Sequence, residues 1–242
     1  MRLTETEQYR RWGLGPSCLG RLALLGDLLM NAGFNITGVR EEGDIERIHL
    51  LDSLSLLDLS LIAPGAKVVD IGSGAGLPAL VVAIAVPGAR VTALESQRKK
   101  ARFIQEAAAT LGLDNVRVCC ERAEDHGRGE WRGTYDVAVS RAVAALPVVA
   151  EYSIPLLRLH GRMMAMKGAI SNEERIQAEV ALGILGAGNL EAVRMDAFPG
   201  AENHWVYLAE KVEPTPDSFP RRPGMPAKRP LGRGQSRETR LR

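Results

Sequence analysis

Short runs of strand-forming residues alternate with longer helical stretches from Lys67 onward. Seven runs have the β-branched and apolar composition of strands: Lys67–Ile71, Arg90–Leu94, Val116–Cys120, Tyr135–Val139, Gly161–Met166, roughly Leu190–Asp196 and His204–Leu208. Strands that alternate with helices are typical of βαβ units built around a parallel sheet. The hydrophobic pattern therefore predicts an α/β fold.

Two apolar stretches between these strands have the length and end signals of crossover helices. Leu77–Val86 is closed by Pro87 and Gly88, and Arg98–Leu111 is closed by Gly112. Parallel neighbours need such right-handed crossovers, so we expect a doubly wound, Rossmann-like sheet that is mostly parallel. Only a short Pro-Gly turn separates the last two strands, which predicts an antiparallel pair at one edge.

Helical periodicity also precedes the first strand. Pro16–Ala32 carries leucines at helical spacing, and His49–Leu61 continues a stripe formed by Ile48, Leu51, Leu54, Leu57 and Leu61. We expect a helical cap over residues 1–62, a main domain over 63–212 and a separate tail over 213–242.

The composition is that of a globular protein that folds around one core. The chain has 242 residues, of which 45% are hydrophobic and 25% charged. Met1–Trp12 lacks the apolar region of a secretory signal, and the longest apolar run, Ala79–Pro87, is too short to span a bilayer. We expect a soluble, cytoplasmic protein with no membrane association, most simply a monomer.

The three cysteines do not suggest a disulfide framework. Cys119 and Cys120 are neighbours in what reads as a buried strand, and Cys18 is far away in sequence. No second cluster of Cys or His stands at metal-ligand spacing, so we expect no metal site.

Positive charge is concentrated at the carboxyl end of the chain. Glu213–Arg242 contains eight Lys or Arg residues and three acids, whereas the other 212 residues carry three more acids than bases. The segment is rich in Pro and Gly and has no hydrophobic periodicity, which predicts an unpacked, solvated arm. Such an arm either contacts nucleic-acid phosphates or only adds solubility.

The strongest local motif is V-V-D-I-G-S-G-A-G-L-P, residues 68–78, between a predicted strand and a predicted helix. Gly72, Gly74 and Gly76 allow a tight turn and close approach of a ligand. A dinucleotide fingerprint G-x-G-x-x-G would need glycine where the chain has Leu77, which argues against a nicotinamide dinucleotide. The motif suits S-adenosylmethionine, which has no pyrophosphate.

Acidic residues follow the predicted strands at positions where they could meet such a ligand. Asp70 ends the first strand and is placed to attract an ammonium group, while Glu95 ends the second and could accept hydrogen bonds from ribose hydroxyls. The third strand leads to Ala123 and Glu124, which we expect beside the adenine ring. Together these features predict a nucleoside-binding α/β domain.

A resemblance to a known family spans about residues 30–231. It is carried by these segments: F-N-I-T-G-V-R (34–40), H-L-L-D-S (49–53), D-I-G-S-G-A-G-L-P (70–78), V-S-R-A (139–142), M-K-G (166–168) and P-R-R-P-G-M-P-A-K-R-P-L (220–231). In these segments the chain resembles the glucose-inhibited division protein B family. The resemblance implies a class I methyltransferase that uses S-adenosylmethionine to methylate N7 of a guanine in 16S ribosomal RNA of the small subunit.

The resemblance also assigns individual residues. Gly72 and Leu77 match loop positions that hold the cofactor, Ala123 and Glu124 match the backbone and acid beside adenine, and Arg141 matches an arginine after the fourth strand. Glu95 stands where the family commonly has aspartate, and its longer side chain still ends in a carboxylate.

The chemistry of this reaction explains the lack of a recognisable catalytic triad. N7 of guanine carries a lone pair and no proton, so catalysis consists mainly of positioning. No residue is assigned as catalytic, and Arg141 and Lys167 are the positioning candidates. We expect Arg141 at the cofactor carboxylate or an RNA phosphate, and Lys167 either at an RNA phosphate or as an ordinary exposed lysine. The sequence S-R-A-V-A after the fourth strand differs from the N/D-P-P-Y/F motif of many amino-group methyltransferases.

Two alternatives stay open on sequence alone. One is a methyltransferase with another target, including another RNA, and the other is a nonenzymatic RNA-binding ribosome-assembly factor. The roles of His49 and Asp52 are also open, because their i, i+3 spacing would let them pair with each other instead of with substrate.

Overall fold

The computed structural model describes residues 7–32 and 41–234 of the chain. The described residues form two compact units, one drawn from Met1–Cys120 and Met195–Glu202, and the other from Glu121–Arg194 and Asn203–Arg242. The F-N-I-T-G-V-R stretch and residues 235–242 lie outside the described residues. The predicted boundaries after residues 62 and 212 stay predictions.

Seven strands form one mostly parallel sheet, which confirms the predicted fold class. They are β1 (Lys67–Ile71), β2 (Arg90–Leu94), β3 (Val116–Cys119), β4 (Tyr135–Arg141), β5 (Leu157–Lys167), β6 (Glu191–Arg194) and β7 (Trp205–Glu210). Ten α-helices of the described chain are α1 (Glu7–Arg10), α2 (Pro16–Met30), α3 (Glu42–Asp44), α4 (Asp52–Leu54), α5 (Ala79–Ala85), α6 (Arg98–Thr110), α7 (Ala123–His126), α8 (Leu146–Ser153), α9 (Asn172–Leu185) and α10 (Met225–Lys228).

The first unit contains three parallel strands in the order β3-β2-β1. In β1 and β2 only the first residue is exposed and the other four are buried, as expected for strands covered on both faces. β3 is different: it is an edge strand of mixed burial that ends at the partly exposed Cys119, and Cys120, the next residue, is exposed. The expectation that the cysteine pair lies in a buried strand is therefore wrong, because an edge strand has a neighbour on one side only.

The crossover helices of the first unit are confirmed, with slightly shorter bounds. α5 begins at Ala79, after Pro78 has served as its N-cap residue, so Leu77 belongs to the preceding loop. α6 ends at Thr110 and buries the small face formed by Ala101, Ile104, Ala107 and Ala108. These helices cover the strands that carry the glycine loop.

The helical segment before β1 is less regular than its sequence predicts. It passes from α3 into a π-helix at Ile45–Leu51, then α4, then a 3₁₀-helix at Ser55–Leu59. Ser53 Oγ donates to the carbonyl of His49, and Ser55 Oγ donates to that of Asp52, so hydroxyls use carbonyls near the changes of helix type. The wide i→i+5 turn shifts the apolar stripe, and Ile48 is 37% exposed where burial was expected.

The second unit contains the strand order β4-β5-β7-β6. β4 and β5 are parallel, β7 is antiparallel to β5, and β6 is antiparallel to β7. The predicted antiparallel pair at one edge is confirmed. A 3₁₀-helix at Ile154–Leu156 links α8 directly to β5.

The carboxyl-terminal segment is packed as far as it is described, which corrects the expectation of an unpacked arm. Arg128 and Arg132 donate hydrogen bonds to main-chain carbonyls of Thr215, Phe219 and Pro220. Pro226 in α10 is buried. Proline removes main-chain donors but leaves carbonyls free to accept, so side chains from the body can fix a segment that has no periodicity of its own.

None of the helices in the described residues combines the length and hydropathy needed to cross a membrane.

Candidate functional site in the loop after the first strand

The loop after β1 folds against the end of β2 in the first unit. The N–H groups of Gly72 and Ser73 both donate to the carbonyl of Leu94, at 2.8 and 3.1 Å. Gly76 N–H donates to the Ser73 carbonyl at 2.8 Å and closes the turn. The loop is thus fixed by main-chain bonds at the carboxyl ends of two parallel strands, where ligands bind in open α/β sheets.

The glycines of the loop have different requirements. Gly74 has φ +58°, and a Cβ built on it would contact only the Gly72 carbonyl oxygen, at 3.8 Å. Gly76 has φ +81°, and its Cβ would lie 2.6 Å from Leu80 Cδ1. Gly76 is therefore required by packing inside the fold, whereas Gly74 presents an open face on which a ligand can rest.

Glu95 reaches from the end of β2 to this loop. Its Oε2 accepts the Gly74 N–H at 2.9 Å, and its Oε1 accepts the Gln97 N–H at 2.8 Å. The residue is only 5% exposed. Because a carboxylate has about four lone-pair sites, two of them can still accept hydroxyl donors.

Asp70 is fully buried beneath the loop. Its Oδ2 accepts the N–H of Ala79 at 3.1 Å, at the start of α5, and Ser73 Oγ donates to the Asp70 carbonyl at 3.0 Å. A carboxylate at a helix N-terminus is favourable because the helix dipole is positive there. The contacts show Asp70 holding the loop to the helix, and its predicted contact with the ammonium group stays a prediction.

Leu77 completes the set that the structure brings together in the first unit. Its side chain is buried and its N–H donates to the Ser73 carbonyl at 3.0 Å. The structure brings six of the predicted residues into one hydrogen-bonded arrangement: Asp70, Gly72, Gly74, Gly76, Leu77 and Glu95. That they bind the cofactor stays a prediction.

Ala123 and Glu124 open α7 in the second unit. Both are buried, and Glu124 Oε1 accepts the N–H of Gly224 at 2.8 Å. Burial raises the pKa of the nearby Tyr152 hydroxyl to about 12, and the negative charge of Glu124 adds to the effect. Glu124 is thus an anchor for the carboxyl-terminal segment, a role that sequence reasoning missed because its partner lies a hundred residues away.

Arg141 and Lys167 end two neighbouring strands of the second unit. Arg141 lies opposite Met166 in the β4–β5 register and is partly exposed. The next residue, Ala142, adopts φ +53°, an uncommon conformation for a residue with a side chain, and its N–H donates to the Met166 carbonyl. Residues held in this region often stand at functional sites.

Lys167 is held in place by neighbouring groups. Its Nζ donates to the Ala144 carbonyl at 2.9 Å and lies 3.2 Å from Glu174 Oε1. The same Glu174 oxygen accepts the Leu146 N–H at 2.9 Å. Lys167 therefore joins the loop after β4 to α9. Its partner Glu174 could have been found from the Ser171-x-x-Glu174 pattern, which is typical of a helix N-terminus.

His49 and Asp52 are both buried in the helical segment of the first unit. Their predicted pairing with each other, or a role toward substrate, stays a prediction.

A second group that sequence reasoning missed is the ion pair of Glu151 and Arg221. The Glu151 side chain is fully buried, and its Oε1 accepts from Arg221 Nε at 2.9 Å and from Arg221 N–H at 2.8 Å. The only sequence signal was an acid inside the apolar helix L-P-V-V-A-E-Y-S.

The chain matches a known protein family over most of its length. The family described as rRNA small subunit methyltransferase G (GidB) matches residues 24–198. The ribosomal RNA small subunit methyltransferase G of Moorella thermoacetica is 43% identical over 221 residues, covering 90% of this chain and 92% of the relative. The protein of the same name from Chloroflexus aggregans is 44% identical over 205 residues, covering 84% of this chain and 85% of the relative.

A solved structure of lower identity shares the fold. The S-adenosylmethionine-dependent O-methyltransferase of Thermotoga maritima superposes with a TM-score of 0.56 and 19% identity, covering 79% of this chain and 72% of the other. At this identity the likeness establishes a common Rossmann-like architecture. With a family match over most of its length and relatives above 40% identity, this chain belongs to the rRNA small subunit methyltransferase G family.

Proposed function

We propose that this chain transfers the methyl group of S-adenosylmethionine to N7 of a guanine in 16S ribosomal RNA. The observation that carries the proposal is the Glu95 carboxylate bonded to Gly74 in the glycine loop of a member of this family. Family membership supplies the reaction class, and the loop supplies a place for its methyl donor.

The residues of the loop fit the proposed cofactor. The outer face of Gly74 is open, because a Cβ there would meet nothing closer than 3.8 Å. Glu95 has lone pairs available beyond its two main-chain donors, so it can accept both hydroxyls of a ribose. Asp70 and Glu95 also place negative charge near the loop, which favours a cationic ligand.

S-adenosylmethionine, when bound, supplies an electrophilic methyl group on a sulfonium sulfur. The work of the chain is to hold the guanine ring and the methyl group about 3 to 3.5 Å apart and in line, which contributes roughly 7 to 11 kcal/mol. No side chain has to remove a proton, because N7 attacks with an existing lone pair. A rigid loop fixed by main-chain bonds to Leu94 suits this requirement.

We assign the other predicted cofactor residues according to their contacts. Asp70 fixes the loop by holding the start of α5. Ala123 is assigned to the adenine side through its main chain because it matches that position of the family motif. Glu124 is assigned to the adenine side together with Ala123, and its carboxylate accepts the Gly224 N–H. Arg141 binds the cofactor carboxylate or an RNA phosphate, since a guanidinium beside N7 would oppose the positive charge that the ring acquires on methylation.

Lys167 acts as a positioning residue. Its amine holds the Ala144 carbonyl, so it fixes the loop that follows Arg141. We propose that the chain acts as a monomer in the cytoplasm, on 16S RNA or on the assembling small subunit.

The test combines a transfer assay with product analysis. Purified protein, S-adenosylmethionine and small subunits that lack the modification should yield N7-methylguanosine by mass spectrometry of the digested RNA. The Glu95→Gln variant should give strongly reduced product, while Lys67→Gln, which changes an exposed residue at the start of β1, should match the natural protein. Product at another nucleotide would support the alternative RNA target, and absence of any product would contradict the proposal.

A further inference from the structure

Residues 213–234, here named the strap, are held against the rest of the second unit by two carboxylates. Glu124 accepts the Gly224 N–H, and Glu151 accepts the N–H and guanidinium of Arg221. Both carboxylates are at most 2% exposed. Two buried acids thus hold the strap at positions three residues apart.

Arginines of the body hold other parts of the strap. Arg132 Nη2 donates to the Thr215 carbonyl at 2.8 Å, and Arg128 Nε donates to the Pro220 carbonyl at 2.9 Å. Near the end of the strap, a Cβ on Gly232 would lie 2.5 Å from the Gln177 carbonyl oxygen of α9, so the main chains there are in close contact. The strap is therefore fixed from its beginning to its end.

The cations of the strap other than Arg221 are exposed. From residue 221 to 234 it contains five bases and no acid, and only Arg221 is used in the anchor. The other four are exposed and, within the described residues, form no ion pair: Arg222, Lys228, Arg229 and Arg233. Exposed cations without an ion-pair partner attract a polyanion, and this attraction is the usual basis of binding to a phosphate backbone.

We propose that the strap is the surface that binds the phosphate backbone of the substrate RNA. The proposal rests on the proposed function, because it takes the polyanion to be the RNA that is methylated. Cations carried on a fixed main chain lose less conformational freedom on binding than the same charges on a disordered arm, so they give more affinity. Backbone contacts would set the register of the RNA without reading its sequence.

Deleting the strap would not test this proposal. Removal of Arg221–Arg242 would leave the buried carboxylates of Glu151 and Glu124 without these partners, and the fold itself would suffer. Substitution of the outward cations avoids the problem, because their side chains are not part of the anchor.

The experiment compares two variants of the full chain, each lacking four exposed cations. The strap variant carries Arg222→Gln, Lys228→Gln, Arg229→Gln and Arg233→Gln. The control carries Lys67→Gln, Arg90→Gln, Arg117→Gln and Arg194→Gln. These are four exposed residues in strands outside the strap. Affinity for 16S RNA is measured by fluorescence anisotropy at several salt concentrations, and affinity for S-adenosylmethionine by calorimetry.

The strap variant should bind RNA at least about tenfold more weakly at physiological salt, with the salt slope reduced by about 3 for four lost contacts. Its affinity for S-adenosylmethionine and its melting temperature should match those of the natural protein. Replacing Arg222 and Arg229 by Lys keeps the charge and should preserve RNA binding. Unchanged affinity and slope in the strap variant, or an equal loss in the control, would overturn the proposal.

The two proposals fail in different ways. If the natural protein binds RNA through the strap but forms no methylated product, the proposed function fails while the RNA-binding surface stands. If methylation proceeds and the strap variant has the same KM for RNA as the natural protein, only the surface is wrong.

Discussion

Glu95 Oε2 accepts the main-chain N–H of Gly74 at 2.9 Å, although the two residues are 21 positions apart. The bond joins the end of β2 to the middle of the glycine loop, so the residue expected to bind ribose also shapes the surface on which ribose would rest.

Glu95→Gln should weaken binding of S-adenosylmethionine by about 10- to 100-fold, because a charged acceptor contributes about 1.5 to 3 kcal/mol. Calorimetric titration gives the dissociation constant. Glu95→Asp keeps the charge and should retain most of the affinity. Equal affinity of the Gln variant and the natural protein would remove Glu95 from the binding site.

Gly76→Ala and Gly74→Ala should separate stability from binding. At Gly76 both the positive φ and the 2.6 Å approach to Leu80 oppose a methyl group, so unfolding free energy should fall by about 2 to 4 kcal/mol. At Gly74 the methyl group meets open space, so stability should fall by only about 1 to 2 kcal/mol.

The Gly74→Ala variant should nevertheless lose affinity for S-adenosylmethionine, because its methyl group would lie on the face offered to the ligand. Urea unfolding and calorimetry measure the two effects. Full affinity in this variant would mean that the ligand does not approach Gly74.

Arg221→Gln should destabilise the fold by about 2 to 4 kcal/mol. It leaves the fully buried Glu151 carboxylate without its partner, and the cost stays below the usual upper range because the Arg221 side chain is 24% exposed. Urea unfolding at neutral pH measures the change.

The double variant Glu151→Gln with Arg221→Gln should recover part of this loss, since no buried charge is left unpaired. If the loss of unfolding free energy in the double variant equals the sum of the losses in the two single variants, the side chains of Glu151 and Arg221 are not coupled.

Lys211 should make stability depend on alkaline pH. Burial, and to a lesser degree the charge of Arg132, lowers the pKa of its amine from 10.5 to about 8. Between these two values the unfolded chain binds more protons than the folded one, so the cost of burying the charged amine falls as pH rises from about 8 to 10.5. Below about pH 8 the amine is charged in both states and the full cost of its burial remains.

The measurement for Lys211 is the difference in unfolding free energy between the natural protein and Lys211→Met from pH 7 to 10. The difference should shift in favour of the natural protein as pH rises. The matched variant Lys67→Met, at an exposed lysine, should show no such trend. A flat difference for Lys211→Met would contradict the lowered pKa.

The regular part of the fold followed closely from local sequence patterns. The buried β-branched runs gave β1 and β2 with the bounds that the structure has, and the α5 and α6 crossovers were displaced by only one or two residues at their ends. Periodicity predicted the segment before β1 less well, because the π-helix at Ile45–Leu51 has more residues per turn than an α-helix and Ile48 is exposed there.

The sequence by itself determined the order of strands and helices, the glycine loop with Asp70 and Glu95 at its strand ends, and the family. These depend on periodicity, backbone freedom and residue spacing, all of which are local. Only the tertiary structure decided that Glu124 holds Gly224, that Glu151 pairs with Arg221 and that residues 213–234, the described part of the basic segment, are packed. Those contacts join residues 70 to 100 positions apart, and their formation depends on the path of the whole chain.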